Sequence, residues 1–394
     1  MNEIQRLIHE MCPNGVPMVA LGEIGTMTKG AGIQKADFTE EGKPCIHYGQ
    51  VHTRYYLFTQ KAISNISETL WNKCKKAAPG NLIIATTSED VEACCKSIAW
   101  LGHEEVAVSG DAHIFAHNQD PKYISYLFQT EMFSKQKRLT ATGAKVVRVS
   151  GDAMLRYIFP LPPLPIQQRI VEILDKFTSL VSSLDSEIAL RQKQYEYYRN
   201  KLLSFEEGDE GVEWKKLGDI GNVFMCKRIM KAQTDSEGEV PFYKIGTFGK
   251  EPDAYISREL FETYKTNYNY PEVGDVLISA AGTIGRTVVF DGTPSYFQDS
   301  NIVWIRNDES LVYNSYLKYF YTVAKWEIDY GGVVARLYND KLKATPIPIP
   351  SLPKQLSIVR TLDTFESLLT NLKKERELRQ KQYEYYREKL LTFA

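Results

Sequence analysis

Residues 190–199 read LRQKQYEYYR, and the same ten letters return at 378–387, 188 positions later. The KLLSF that follows at 201–205 comes back as KLLTF at 389–393. An identical decapeptide at this offset is an internal repeat, and a repeat sets the architecture before any single element does. The match continues upstream at the same offset. Leu164-Pro165 pairs with Leu352-Pro353, Ile170-Val171 with Ile358-Val359, Leu174-Asp175 with Leu362-Asp363, and Phe177 with Phe365. Weaker matches lie further out: Gly15-Val16 and 21–25 with Gly211-Val212 and 217–221, Gly80–Ile84 with Gly274–Ile278, and Tyr123–Leu127 with Tyr313–Leu317. The first of these sits at offset 196, so insertions and deletions separate the copies. Each half is therefore a variable unit followed by a nearly invariant one.

The invariant units have helix periodicity. Ile166, Ile170, Leu174, Phe177, Val181, Leu184 and Ile188 recur every three or four residues, and Tyr195, Tyr198, Leu202 and Phe205 prolong the stripe. Pro160, Pro162, Pro163 and Pro165 exclude helix before it, as Pro346, Pro348, Pro350 and Pro353 do before its twin. A helix of roughly 40 residues is about 60 Å long, and its apolar stripe needs a partner helix. The variable units hold short β-rich runs, LIIAT, VLISA, TVVF and NIVWI, with helical YISYLFQTEMF and NSYLKYFYTVAKW beside them. The expected fold is mixed α/β (α+β), with globular domains at 1–158 and 208–346 and helical spacers at 159–207 and 347–394. The link EEGDEGVE (206–213) reaches at most roughly 28 Å, which favours antiparallel helices forming a coiled coil, one globule at each end, with internal pseudo-two-fold symmetry.

The bulk composition narrows the class. The chain has 394 residues, enough for two cores, with 43% hydrophobic and 25% charged residues and net charge −1. Any hold on nucleic acid must then come from local clusters of Lys and Arg. No apolar run of membrane-spanning length and no leader pattern is present, so a cytoplasmic protein away from membranes is expected. The six cysteines form no CxxC pair and are expected to be buried thiols. Cys94, Cys95, His103, His113 and His117 do not make a zinc pattern, and no metal site is expected.

In the order of these motifs, GV…LGEIG and GVEWKKLGDIG, GDVLISAAGTIG, IFPLPPLPIQQRIVEIL and IPIPSLPKQLSIVRTL, then the duplicated RQKQYEYYR, the chain resembles the specificity subunits of type I restriction-modification systems. The resemblance covers essentially the whole chain. It implies two target-recognition domains that bind double-stranded DNA at a bipartite, asymmetric target. It also implies two conserved helices that dock two methyltransferase subunits, with restriction subunits joining the full complex. It implies no catalysis and no cofactor on this chain, with S-adenosylmethionine, ATP and Mg on the partner subunits. The alternative is the recognition part of a fused methyltransferase-endonuclease, disfavoured because neither an [DN]PP[FYW] motif nor a glycine-rich cofactor fingerprint occurs.

Candidate DNA contacts follow from residue type. Lys29, Gln34 and Lys35 lie on a glycine-rich loop, with Lys227, Arg228 and Lys231 at a comparable place; such loops suit phosphate clamping and base-edge bonds. Lys145 and Arg148 follow Thr142-Gly143, and Arg336 follows Gly331-Gly332. Arg148 and Arg336 are repeat equivalents. Tyr48, Gln50 and His52, with Tyr243, Lys244 and Thr247, form polar-aromatic segments after Pro44 and Pro241. Thr86, Thr87, Ser88, Thr283 and Arg286 follow equivalent strands, where turn chemistry is an equal explanation. On the helices Tyr195, Tyr197 and Tyr198 and their twins Tyr383, Tyr385 and Tyr386 cannot all face one partner helix. With the family resemblance, Tyr195, Tyr198, Tyr383 and Tyr386 are expected at the methyltransferase-docking face.

Overall fold

The computed structural model describes residues 3–331 and 334–393; of the motifs above, only Gly332 lies outside them. Two compact units result. The first is Met1–Asp185 with Lys374–Ala394, and the second is Ser186–Lys373. The long helices Leu164–Leu203 and Leu352–Thr392 each begin in one unit and continue into the other.

In the first unit, Leu82–Ala85 is buried on both faces and centres a five-stranded sheet. Its order is Gly25–Lys29, Ala112–His117, Leu82–Ala85, Lys96–Trp100 and Phe58–Thr59. The first four strands run antiparallel, and the last pairs in parallel with its neighbour. A second five-stranded sheet runs Phe38–Thr39, Ser64–Ile66, Lys43–Ile46, Val106–Val108 and Lys76–Ala77. In the second unit Val276–Ser279 takes the place of Leu82–Ala85, between Ile302–Asn307 and Thr287–Val289, with Gly221–Phe224 at the edge. The residues with β-branched runs thus form the strands the sequence marked. YISYLFQTEMF divides into helices Pro121–Leu127 and Glu131–Thr140. NSYLKYFYTVAKW stays helical only to Phe320.

Each proline-rich segment is a strand and not a loose lead-in. Ile158–Pro160 pairs with Met18–Ala20, and Pro346–Pro350 pairs with Val212–Lys216. Prolines are tolerated there because each ladder has only two strands, and alternate residues need donate nothing. In PIPIP, Ile347 and Ile349 point into the core.

Behind the prolines, Ile166, Ile170 and Leu174 of one helix and Ile358 and Leu362 of the other are buried. Each such side chain contributes about 1.5–3 kcal/mol. Within the first unit, Phe177 stacks on Tyr386 at 5.4 Å and Asp185 pairs with Arg376. Within the second, Tyr198 stacks on Phe365 at 5.4 Å and Tyr195 donates to Glu366. In both units the numbers rise on one segment as they fall on the other, so the helical segments are antiparallel.

One buried amide joins each long helix to its globule. Gln167 Oε1 accepts the Asp120 N–H at 3.1 Å, while Nε2 donates to Gln119 Oε1 and the Pro162 carbonyl, both at 2.8 Å. Gln355 Oε1 accepts the Tyr313 N–H at 3.0 Å, and Nε2 donates to the carbonyls of Leu311 and Pro350. Tyrosine contacts set the correspondence between the two copies of the repeat. Tyr123 donates to the Pro160 carbonyl and Tyr316 to that of Pro348, and Tyr126 and Tyr319 donate to Asp175 and Asp363. Tyr123 is therefore the counterpart of Tyr316, not of Tyr313. Tyrosines at 313, 316 and 319 repeat every three residues, so the sequence alone permits a slip of one helical turn. Among the described residues no helix is long and apolar enough to cross a membrane.

Candidate nucleic-acid interface

The strand exits carry the arrangement most suited to holding a basic group outward. In the first unit, Val147-Arg148 pairs with Thr87-Ser88. Arg148 also closes a tight loop, donating its N–H to the Thr142 carbonyl at 2.8 Å and accepting the Thr142 N–H at 2.9 Å. Gly143 turns that loop with φ +100°, and a Cβ there would come within 2.1 Å of the Val146 carbonyl oxygen. In the second unit, Arg336 bridges Ala281 and exchanges backbone bonds with Asp329 at 2.9 and 3.0 Å. The next residues repeat the pattern. The Val149 N–H donates to the Thr86 carbonyl, and the Leu337 N–H to that of Ala280. Both arginines are thus pinned by their backbones in the same ladder position, and both side chains are exposed. Lys145 stands exposed on the first loop.

Lys29 ends its strand beside His113 and is exposed, as are Gln34 and Lys35 on the following turn. Ala31 bridges Ser109, and a Cβ on Gly30 would lie 2.1 Å from the Ser109 carbonyl oxygen, so close backbone approach fixes this loop. Burial first, then the Lys35 ammonium, holds His47 below the ordinary imidazole range. Burial and Lys29 do the same for His113. Both rings are neutral at pH 7, and the positive charge of this face comes from its lysines. In the second unit Lys227 lies 5.0 Å from the Tyr268 ring, Arg228 pairs with Asp299 at 2.8 Å, and Lys231 is exposed.

Several candidates are occupied elsewhere. Thr86 is buried, with its hydroxyl 3.0 Å from His113 Nδ1, so it cannot meet a base. Thr87 is likewise buried and donates to Asp111. Gln50 accepts the His47 N–H and donates to Ser64, which uses both ends of its amide. Thr247 accepts the Lys244 N–H and donates to the Lys244 carbonyl, the same turn-closing role. Lys244 pairs with Asp253 at 2.8 Å, and Tyr243 stacks on Phe297 at 5.8 Å. His52 bonds the Thr87 carbonyl. Arg286 is half-buried and donates to the Phe248 carbonyl, as its counterpart Lys96 does to that of His52. The side chains of Gln50, Thr86, Thr247 and Arg286 are thus bonded within turns and strand exits. Thr283 is exposed at its loop, and Ser88 half-exposed.

Tyr48, His52 and Ser88 do come together, around a cavity of about 920 Å³ in the first unit. Its lining balances Lys96, Lys137 and Arg387 against Glu89, Asp90 and Glu92. Lys137 is buried and bonded to the carbonyls of Glu92 and Cys94. So balanced a lining is poorly suited to a phosphate, whereas Arg148 and Arg336 stand exposed outside it.

On the helices the tyrosines divide three ways. Tyr195 and Tyr383 are buried, donating to Glu366 and Gln129, which removes them from any docking face. Tyr198 and Tyr386 lie flat on Phe365 and Phe177 and offer one edge. Tyr197 and Tyr385 are 59% and 58% exposed, with the ammonium groups of Lys201 and Lys389 over their rings. Leu190 and Leu378, seven residues before them and so on the same helix face, are 62% and 53% exposed. Each unit therefore bears one copy of the same Leu-Tyr-Lys stripe. Identity of LRQKQYEYYR, beyond what packing one stripe requires, was the available signal for it.

A protein-family model described as the type I restriction modification DNA specificity domain matches residues 13–190 and again 209–380. A Haemophilus influenzae protein named as a type I restriction enzyme specificity subunit is 58% identical over 264 residues, 64% of this chain and 68% of the relative. An Escherichia coli type I restriction enzyme specificity subunit is 34% identical over 254 residues, 59% of this chain and 61% of its own length. The fold matches the crystal structure of a type I restriction-modification S subunit from M. genitalium with a TM-score of 0.56 at 15% identity, covering 96% and 97% of the two chains.

Proposed function

Since the chain belongs to the type I restriction-modification DNA specificity family, we propose that each of its units reads one half of a bipartite target in double-stranded DNA. The observation that supports this best is the pair Arg148 and Arg336, held by equivalent backbone ladders and exposed in two globules whose loop sequences differ. Dissimilar surroundings imply dissimilar half-sites, hence an asymmetric target. Phosphate contacts position such a protein, and loop side chains around them read base edges. Lys29, Gln34, Lys35 and Lys145 serve in the first unit, and Lys227, Arg228, Lys231 and Thr283 in the second. The chain supplies recognition and no chemistry. Methylation and cleavage belong to its partner subunits.

The duplicated Leu190, Tyr197, Lys201 and Leu378, Tyr385, Lys389 stripes suit two copies of one partner, which in this family context are two methyltransferase subunits. Exposed tyrosines are favoured at interfaces, and Tyr197 and Tyr385 are 59% and 58% exposed. Tyr197→Ala is expected to remove one of the two docking sites and leave the other. The double variant Tyr197→Ala with Tyr385→Ala should weaken both by about 2 kcal/mol or more. Titration of the purified chain with the methyltransferase subunit checks this. Unchanged stoichiometry and affinity would remove the stripe from the interface.

A further inference from the structure

Cys94 and Cys95 are chain neighbours whose Sγ atoms lie 3.8 Å apart, and both line the cavity of about 920 Å³ in the first unit. Cys95 has φ +65°, a left-handed backbone that costs any side chain energy that glycine avoids. The second unit has glycine at that position. The Cys95 N–H donates to the Ala85 carbonyl, and the Gly285 N–H, with φ +85°, donates to the equivalent Ser279 carbonyl. One copy of the repeat avoids the strain, and the other accepts it with a thiol beside a thiol. The buried Lys137 ammonium donates to the Cys94 carbonyl at 3.1 Å.

These surroundings separate the sulfurs. The Cys95 thiol, helped by Lys137, holds Cys94 below the usual thiol range against burial, while Cys94 and burial push Cys95 well above it. Burial pushes Cys45 and Cys226 up to about 12. A thiolate is the reactive form, so Cys94 is the nucleophile of the pair.

We propose that Cys94 and Cys95 form a vicinal dithiol site that hydrogen peroxide closes into a disulfide. The Cys94 thiolate attacks one peroxide oxygen, the O–O bond breaks, and hydroxide leaves, giving a sulfenic acid. The Cys95 sulfur then attacks the Cys94 sulfur. The S–S bond forms, the S–O bond breaks, and the departing hydroxide takes the Cys95 proton as water. Two thiols are oxidised, and one peroxide is reduced to two waters. The resting Cys94 thiol donates to the Thr86 carbonyl at 3.3 Å, beside the ladder that holds Arg148, and that bond is lost when Cys94 ionises and stays lost in the disulfide. The second unit, with Gly285, has no counterpart.

The test uses the purified full chain, one equivalent of hydrogen peroxide, alkylation of the remaining thiols and tryptic mapping. Peptide 77–96 contains these two cysteines and no others. It should lose two hydrogens, resist alkylation and recover both thiols with dithiothreitol. Cys95→Gly, which installs the residue of the second unit, should stall Cys94 at the sulfenic acid and give a dimedone adduct absent from the unaltered chain. Cys94→Ser should leave Cys95 reduced. Full alkylation of the oxidised peptide, a sulfinic Cys94 in the unaltered chain, or equal oxidation of Cys95 in Cys94→Ser would overturn the proposal.

Discussion

Gln355→Ala should destabilise the second unit by about 3–5 kcal/mol, and Gln167→Ala the first by a similar amount. Gln355 is fully buried, and its amide satisfies the Tyr313 N–H and the carbonyls of Leu311 and Pro350. Alanine leaves all three backbone groups without their partner. Each buried polar group so stranded costs about 1–3 kcal/mol, and the vacated volume adds to the loss. The contact also fixes where helix Asn314–Phe320 starts relative to the long helix. Denaturant unfolding monitored by tryptophan fluorescence checks the second unit, which contains Trp214, Trp304 and Trp326. A loss below about 1 kcal/mol would mean that water replaces the amide freely.

Arg148→Ala and Arg336→Ala should each weaken DNA binding and lower the slope of log affinity against log salt by about 1, and the double variant by about 2. Each arginine's backbone bonds survive truncation, since the N–H and carbonyl groups make the ladder. The folded units should therefore remain intact, and the effect should fall on binding alone. Association measured from low to moderate salt, with the chain in complex with its methyltransferase partner, reads both slopes. A slope unchanged in either variant takes that arginine off the phosphate backbone.

The repeat made most of the architecture legible. LRQKQYEYYR and the apolar stripe before it located two long helices, and the prolines placed their starts within a few residues. What the sequence could not convey was which polar side chains remain available. Gln50 and Thr86 have the residue types of base readers, yet their partners Ser64 and His113 are 14 and 27 positions away and meet them only in the folded sheets. Tyr195 and Tyr197 are equally plausible on a helix until Glu366 and Phe365 pack against the first. Gln167 and Gln355 recur at the 188-residue offset among the apolar residues that open each helix, a pattern that marks a buried tie as readily as a surface site. The tyrosines at 313, 316 and 319 leave the register of that helix open by one turn, because a helix repeats its neighbours at that interval.

The proposed division of labour is tested most directly by exchanging residues 1–158 for the matching segment of another family member and sequencing DNA methylation in cells that carry all partner subunits. One half of the methylated target should change while the other half and the spacer between them stay as they were. Change in both halves, or in neither, would contradict it.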